Sequence, residues 1–543
     1  MNLIRGYIVD IANKCFFPGE INFAEAIISI VPTFESVPDC YIFPGLVDSH
    51  VHIESSMLVP SEFSRLVVPR GTVAVVADPH EIVNVMGEEG FNYMIEDSLL
   101  TPLKCFFGVP SCVPASDFDR SGFVLDSEAV SRLIARKEVC CLSEVMNYPG
   151  VLVSDPVVMN KIHAAQRNGK PVDGHAPGLV GRDLMKYAQS GISTDHECST
   201  IDEALFKISC GMKIQIREGS AARNFEALYS LISSHPSSVM LCTDDSHPDD
   251  LIERGHIDKI IAMGLKKGVS IFDLLQAAVV NPVLHYRLPV GLLRVGDPAD
   301  MIVVDRLDEF HIVQTYINGT LVYDAGNIHL PKLPIAVVNY FEATFVDCID
   351  VMLPHDKEAV RVIRVTDGEL VTGEMKWIPQ LSNNRLVLSS VDDDVLKIVV
   401  LNRYLKGQPP AVGFIHGFGL KKGGIGCSVA HDSHHLIVVG VSDDDILACM
   451  NLLIESKGGI AVVDGEKRDL LPLPIAGIMS DKSGEAVATK YRFLQCCASS
   501  LGSTLQSPFM TLSFMSLLVI PELKMSDRGL FNGNDFQFVD LFL

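Results

Sequence analysis

The chain has 543 residues, 48% hydrophobic and 20% charged, and its 67 acidic against 44 basic residues give a net charge of −23. That length buries sizeable cores without disulfide or metal staples, and the composition excludes a disordered chain. So acidic a surface repels a phosphate backbone, which excludes nucleic acid as the expected partner.

Residues 1–43 read as short strands with a turn near Pro18-Gly19, too few for a domain of their own. Arg5, Asp10 and Lys14 interrupt the start of the chain, so no signal peptide is expected. From about Gly45 onward, short β-branched runs alternate with helical stretches. The runs are 43–48, 73–78, 104–109, 139–144, 171–175, 192–196, 212–217 and 239–244. Between them, 126–137, 155–168, 200–209 and 223–234 carry apolar residues at helical spacing, with Gly169 and Gly211 placed as stops. Alternating strands and helices predict a parallel sheet, and eight units match a (β/α)8 TIM-like barrel of ~250 residues. A doubly wound sheet is the alternative, but its Gly-x-Gly-x-x-Gly fingerprint is missing.

A second β-rich stretch follows the barrel, around Gly291, Ala299 to Asp305 and Val313 to Gly319. The expected fold class is therefore α/β: residues 1–43 and 286–339 form a small β-sandwich, with the barrel, 44–285, inserted in it. Residues 340–543 form a C-terminal α+β domain. The fourteen cysteines contain no Cys-x-x-Cys, and Cys105, Cys242 and Cys449 sit in apolar runs, so reduced thiols are expected. The most apolar run, between Pro508 and Pro521, is too short to span a bilayer. A cytoplasmic protein with no membrane partner is expected.

Active sites of such barrels are built at the C-terminal ends of the strands. Here those ends carry His50 and His52, His80 and Glu81, Glu144, His175, His196, Glu218, and Asp244 with Asp245. Side chains alternate along a strand, so His50 and His52 point the same way and can hold one divalent ion. Glu144 can bridge two ions, His175 and His196 can hold the second, and Asp244 can ligate the first. Four imidazoles and two carboxylates suit a two-metal site, which lowers the pKa of a bridging water. Asp244 is then the expected general base turned general acid. Taken singly, these residues have bland readings: His-x-His alone is weak, Glu144 could be a salt-bridge partner, and Asp244-Asp245 could cap the helix expected near Pro248. Those readings leave the register unexplained, an ionisable residue at the end of strand after strand. A further cluster, His431-Asp432-Ser433-His434-His435, reads as a loop of solvated histidines in preference to a metal site.

Phe43-Pro44-Gly45-Leu46-Val47-Asp48-Ser49-His50-Val51-His52 resembles the first strand of the amidohydrolase superfamily, and Gly296-Asp297-Pro298-Ala299-Asp300-Met301-Ile302-Val303 is similar to its return into the sandwich. More closely, the chain resembles the adenine deaminase family of bacteria and archaea. The carrying segments are His52-Ile53-Glu54-Ser55-Ser56-Met57, Ala77-Asp78-Pro79-His80-Glu81-Ile82, Glu144-Val145-Met146-Asn147, Asp173-Gly174-His175-Ala176-Pro177-Gly178, Thr194-Asp195-His196-Glu197-Cys198, Ile216-Arg217-Glu218-Gly219-Ser220-Ala221-Ala222-Arg223-Asn224 and Cys242-Thr243-Asp244-Asp245. The likeness continues through Ala430-His431-Asp432-Ser433-His434 and Pro472-Leu473-Pro474-Ile475. One departure is Ser246, where that family carries arginine. The resemblance implies hydrolysis of adenine to hypoxanthine and ammonia with two divalent ions, Mn2+ or Fe2+. It implies Glu81 or Glu218 as a second acid toward the purine ring, and Arg217 and Ser220 as base contacts. A small-molecule substrate with water, and a homodimer, are the expected partners. A dihydroorotase-like hydrolase is the alternative, although Glu144 stands where many of those enzymes carry a carboxylated lysine. A catalytically silent barrel is disfavoured because all six expected ligands are present.

Overall fold

The computed structural model describes residues 1–220, 222–381 and 385–543. It divides into two compact units. The first comprises Met1–Pro79, Asn92–Cys112 and Leu125–Ile335, and the second His80–Phe91, Val113–Val124 and Ala336–Leu543.

In the first unit, residues at the amino terminus supply β1 (Asn2–Asp10), β2 (Cys15–Phe23), β3 (Ile27–Pro32) and β4 (Tyr41–Pro44). All eight expected barrel strands come next: β5 (Leu46–His52), β6 (Thr72–Ala77), β7 (Lys104–Val109), β8 (Val139–Val145), β9 (Val172–Gly174), β10 (Thr194–Asp195), β11 (Lys213–Arg217) and β12 (Val239–Cys242). A two-residue β13 (Asp244–Asp245) comes directly after. These strands pair in parallel in two sheets, β13-β5-β6-β7-β8-β9 and β10-β11-β12. The parallel bridge Val172–Ile192 joins the sheets on one side. On the other, β12 runs through Thr243 into β13, which pairs with Val51 and His52 of β5. The ring is closed. Strands β5, β6 and β12 are buried along their whole length, as parallel strands covered on both faces must be, which explains their near-continuous apolar runs. At the entry to β5, Gly45 is required by space: a Cβ there would lie 2.3 Å from Cγ1 of Val73.

The crossover helices begin where the capping residues stand. Asp126 accepts from the backbone N of Glu128 and Ala129 ahead of Ser127–Ile134. Asp155 and Thr200 do the same for Pro156–Arg167 and Ile201–Ser209. Each side-chain oxygen satisfies donors that the first helical turn leaves orphaned. The helix expected over 223–234 is instead two short pieces, Phe225–Leu228 and Ser230–Ser234.

After the barrel come β14 (Met301–Arg306), β15 (His311–Ile317), β16 (Thr320–Asp324) and β17 (Asn327–Ile328). The two flanks do fold together, as one hydrogen-bonded sheet in the order β17-β16-β15-β14-β4-β1-β2-β3. Ile8, Ile21, Phe23, Ile42, Phe43, Met301 and Ile302 of this sheet share a core with Ile214, Ile216, Val239, Leu241 and Leu274.

The second unit is α+β. Its main sheet has the order β19-β18-β21-β20-β23-β22-β24-β25. The strands are β18 (Val360–Arg364), β19 (Gly373–Trp377), β20 (Val395–Leu401), β21 (Ala411–His416), β22 (Gly424–Cys427), β23 (Leu436–Gly440), β24 (Gly459–Asp464) and β25 (Lys467–Pro472). Helix Asp443–Glu455 buries Ile446, Cys449, Met450 and Leu453 against Val399, Val438 and Ala461 of this sheet. The apolar run before Pro521 begins with a buried helix, Pro508–Ser513. Among the described residues no helix is long and apolar enough to cross a membrane, and all the cysteines are free.

Candidate functional site

The six residues expected to bind metal converge at the C-terminal ends of the barrel strands. His50 and His52 leave the end of β5, Glu144 comes from β8, and His175 follows β9. His196 follows β10, and Asp244 opens β13. Glu144 faces two sets of imidazoles, one with each oxygen. Its Oε1 lies 3.5 Å from His52 Nε2, and its Oε2 lies 2.8 Å from His175 Nδ1 and 3.2 Å from His196 Nε2. Asp244 Oδ1 stands 3.2 Å from His52 Nε2 and 3.6 Å from His50 Nε2. The His50 and His196 rings stack with centroids 4.2 Å apart. His50, His52, Glu144, His196 and Asp244 are all buried.

Neighbours fix these side chains. His52 Nδ1 lies 3.0 Å from the Asp78 carbonyl. The ring therefore donates from Nδ1 and turns the Nε2 lone pair into the site. Asp48 ties together the two strand ends that carry His50 and Asp244. It accepts from the backbone N of His50 at 3.2 Å and of Thr243 at 3.1 Å, and from Thr243 Oγ1 at 2.5 Å. Asp244 itself has φ +58°, a left-handed conformation that costs a non-glycine residue energy and is held by its surroundings. Arg217 donates to Asp244 Oδ2 at 2.5 Å, and to Glu197 at 2.6 and 2.9 Å.

This packing sets the electrostatics. Burial opposes every charge here, and mutual attraction overrides it. For Asp244 the Arg217 guanidinium and the adjacent His50 and His52 imidazoles outweigh burial and hold the carboxyl well below its ordinary range. His196 is carried up to about 10, burial being overcome by Glu144 and Glu197. The groups His50/His196/Asp244 and Glu144/His175/His196 each place ligand atoms within 4.8 Å of one another. A divalent ion fits this donor set on a specific observation: among the described residues buried His50 Nε2 has no hydrogen-bond partner, which is costly unless a cation takes its lone pair.

Residues 41–322 match the Amidohydrolase family, and residues 369–537 match the Adenine deaminase C-terminal domain. The chain is 53% identical to an adenine deaminase of Methanosarcina mazei, with all of both chains covered. It is 48% identical to one of Salinibacter ruber, over 99% of each chain, and 45% identical to one of Borreliella afzelii, over 99% of this chain and all of that one. The chain belongs to the adenine deaminase family.

Two further residues reach the cluster: Glu197, which the sequence reading gave no role, and Asp245, which it placed at a strand end but did not assign as a ligand. Glu197 Oε1 lies 3.5 Å from His175 Nδ1 and 3.4 Å from His196 Nε2. Asp245 joins His52 and Asp244 in another group of potential ligands and accepts from Ser55 Oγ. A period-two reading of strands leaves both out. However, β10 ends at Asp195, so His196 and Glu197 stand beyond the pleat and both turn inward. Adjacency to His196 and Asp244 was the available signal.

Glu218 and Ser220 sit just past β11, beside rather than within the cluster. Burial pushes the Glu218 carboxyl up, and its backbone N donates to Cys242. Ser220 Oγ accepts from the backbone N of His247 at 2.8 Å. Ala221 of the same motif lies outside the described residues. Ser246 is buried.

Glu81 belongs to the second unit, in the first turn of helix His80–Ser98. Its two oxygens meet His431 Nδ1 at 2.5 Å and His434 Nε2. The expectation of solvated histidines at 431–435 is therefore wrong: His431, His434 and His435 are 7%, 1% and 2% exposed. Sequence clustering carried no sign of this, because the partner carboxylate lies some 350 residues away and a tight turn folds the histidines inward.

Proposed function

We infer that the protein is a metal-dependent hydrolase that converts adenine and water to hypoxanthine and ammonia. The observation that carries this reading is a four-histidine, two-carboxylate cluster, buried except for partly exposed His175, on a chain matching adenine deaminases from end to end. Two divalent ions, Mn2+ or Fe2+, suit the donors. His50, His52 and Asp244 would hold one, His175 and His196 the other, and Glu144 would serve both. Such ions, when bound, supply the Lewis acidity that makes hydroxide available near neutral pH.

The chain's own groups then handle protons and orientation. Water oxygen adds to C6 of the purine as a glutamic acid protonates the ring nitrogen. Asp244 accepts one water proton and returns it to the exocyclic nitrogen as the C6–N bond breaks, and the proton left on the C6 oxygen passes back to the glutamate as the carbonyl forms. Arg217 keeps Asp244 oriented through its bond to Oδ2. We assign Arg217 and Ser220 as contacts to the base. Glu218 and Glu81 are the two proposed donors to a ring nitrogen, and the variants Glu218→Gln and Glu81→Gln separate them by which one loses turnover. Work in the cytoplasm as a homodimer is part of this proposal, the dimer checked by light scattering of the purified chain.

The test is ammonia release from adenine by manganese-loaded protein, beside adenosine, cytosine and dihydroorotate. Release from adenine alone is expected. Silence on adenine in a protein that holds two ions would discard the substrate and direct attention to Ser246.

A further inference from the structure

The second unit contains a cluster of ionisable groups around Glu81 whose histidines have no role in the chemistry proposed above. Glu81 lies at the start of helix His80–Ser98, and His431 and His434 lie on the turn that leads into β23. Their three ligand atoms fall within 4.8 Å of one another, and all three residues are buried. The turn aims both rings the same way, since His434 adopts φ +51° and its backbone N bonds the Ala430 carbonyl at 2.7 Å. His431 is further fixed by stacking on Phe514, with centroids 4.7 Å apart. Around this triad stand His80, whose Nε2 is 3.6 Å from Glu81 Oε1, and Asp432, whose Oδ1 is 3.9 Å from His80 Nε2.

We propose that Glu81, His431 and His434 form a site for a single divalent transition-metal ion, in addition to the ions held by the barrel residues. Two imidazoles and one carboxylate are the donor set that Zn2+, Mn2+ and Fe2+ favour. Two buried carboxylates, Glu81 and Asp432, supply negative charge that a dication neutralises. The ion would clip the turn at 430–434 to a helix far away in sequence, so its main effect falls on the stability of the second unit. Metal coordination engages Glu81 and leaves Glu218 as the donor to the purine ring; in this respect the inference rests on the function proposed above. The competing state has both imidazoles donating to Glu81 with no ion, a tautomer that the Ala430 N–H on His434 Nδ1 at 3.4 Å supports.

Metal counting on the full chain decides between them. Stripped protein is dialysed against Mn2+ or Zn2+ and assayed by mass spectrometry, with thermal melting as the check on folding. The wild type is expected to hold one equivalent more than His431→Ala/His434→Ala, and to lose melting temperature on chelation. Equal counts overturn the site. Should the double variant fail to fold, the barrel variant His50→Ala/His52→Ala/His175→Ala/His196→Ala gives the answer: one remaining equivalent supports the site, and none overturns it. That variant also keeps the two claims apart, since failure of the barrel reading would leave its count equal to that of the wild type.

Discussion

Two glutamates are buried among imidazoles in this molecule, and the protein treats them differently. Glu144 in the first unit divides its oxygens among His52, His175 and His196 at 2.8 to 3.5 Å, with Asp244 and Arg217 close by. Glu81 in the second unit meets one histidine on each oxygen in direct contact, with His80 Nε2 further off at 3.6 Å from Oε1. The first arrangement is open and shared, with each group leaning on several others. The second is closed and paired. A shared cluster tolerates loss of one contact in structure while losing chemistry, whereas a closed pair is expected to lose stability first.

The largest expected effect breaks the shared cluster at its proton carrier. Asp244→Asn keeps the shape of the side chain and is expected to lower kcat by about 10²–10⁴-fold, while binding of the ion at His175 and His196 is retained. Glu144→Gln is expected to weaken both ions. Ammonia release and metal content, measured on the same preparations, read the two effects separately. Near-normal turnover in Asp244→Asn would remove the proton-shuttle role.

Next in size is a purely structural cost in the first unit. Lys207 is fully buried and donates to Asp195 at 2.9 Å, to Glu203 at 2.9 Å and to the Ala176 carbonyl at 2.7 Å. Asp195 in turn receives the backbone N of Ala176 and of Glu197, so this ion pair supports the residues flanking His175 and His196. Lys207→Met strands two buried carboxylates and is expected to cost ~3–5 kcal/mol, read by urea unfolding. An unchanged unfolding midpoint would show that the pair is not the anchor of this side of the cluster.

The same contrast explains how much of the molecule is legible in the sequence. The barrel is legible because its signals are local: the strands are short apolar runs, all but the third end in an ionisable residue, and Asp126, Asp155 and Thr200 mark helix starts. His50, His52, Glu144, His175, His196 and Asp244 emerge from that register, together with His80, Glu81, Glu218 and Asp245, and the donor needs of a two-metal site pick out the six. Glu197 escapes because β10 is only two residues long, too short to impose alternation on the residues after it. The burial of His431 and His434 escapes for a different reason. Its cause is a carboxylate distant in sequence, and no periodicity links a turn before β23 to the first turn of a helix near residue 80.

The smallest effect sharpens the comparison through a second buried lysine. Lys524 in the second unit is as buried as Lys207, yet it donates to the carbonyls of Leu370 and Phe514. Burial pushes its pKa down to about 7, whereas Asp195 carries that of Lys207 upward against burial. Between pH 7 and the ordinary lysine value of 10.5, the unfolded chain binds more protons at this position than the folded one. Stability therefore rises with pH across that window, by at most about 1.4 kcal/mol per unit, and the burial cost is present in full below pH 7. Lys524→Met is expected to remove this slope and raise the melting temperature at pH 6 more than at pH 9, if its methyl end packs where the ammonium lay. Lys207→Met is expected to be destabilising at both pH values. Parallel behaviour of the two variants would mean that pairing with Asp195 and Glu203 does not distinguish how the two units accommodate a buried charge.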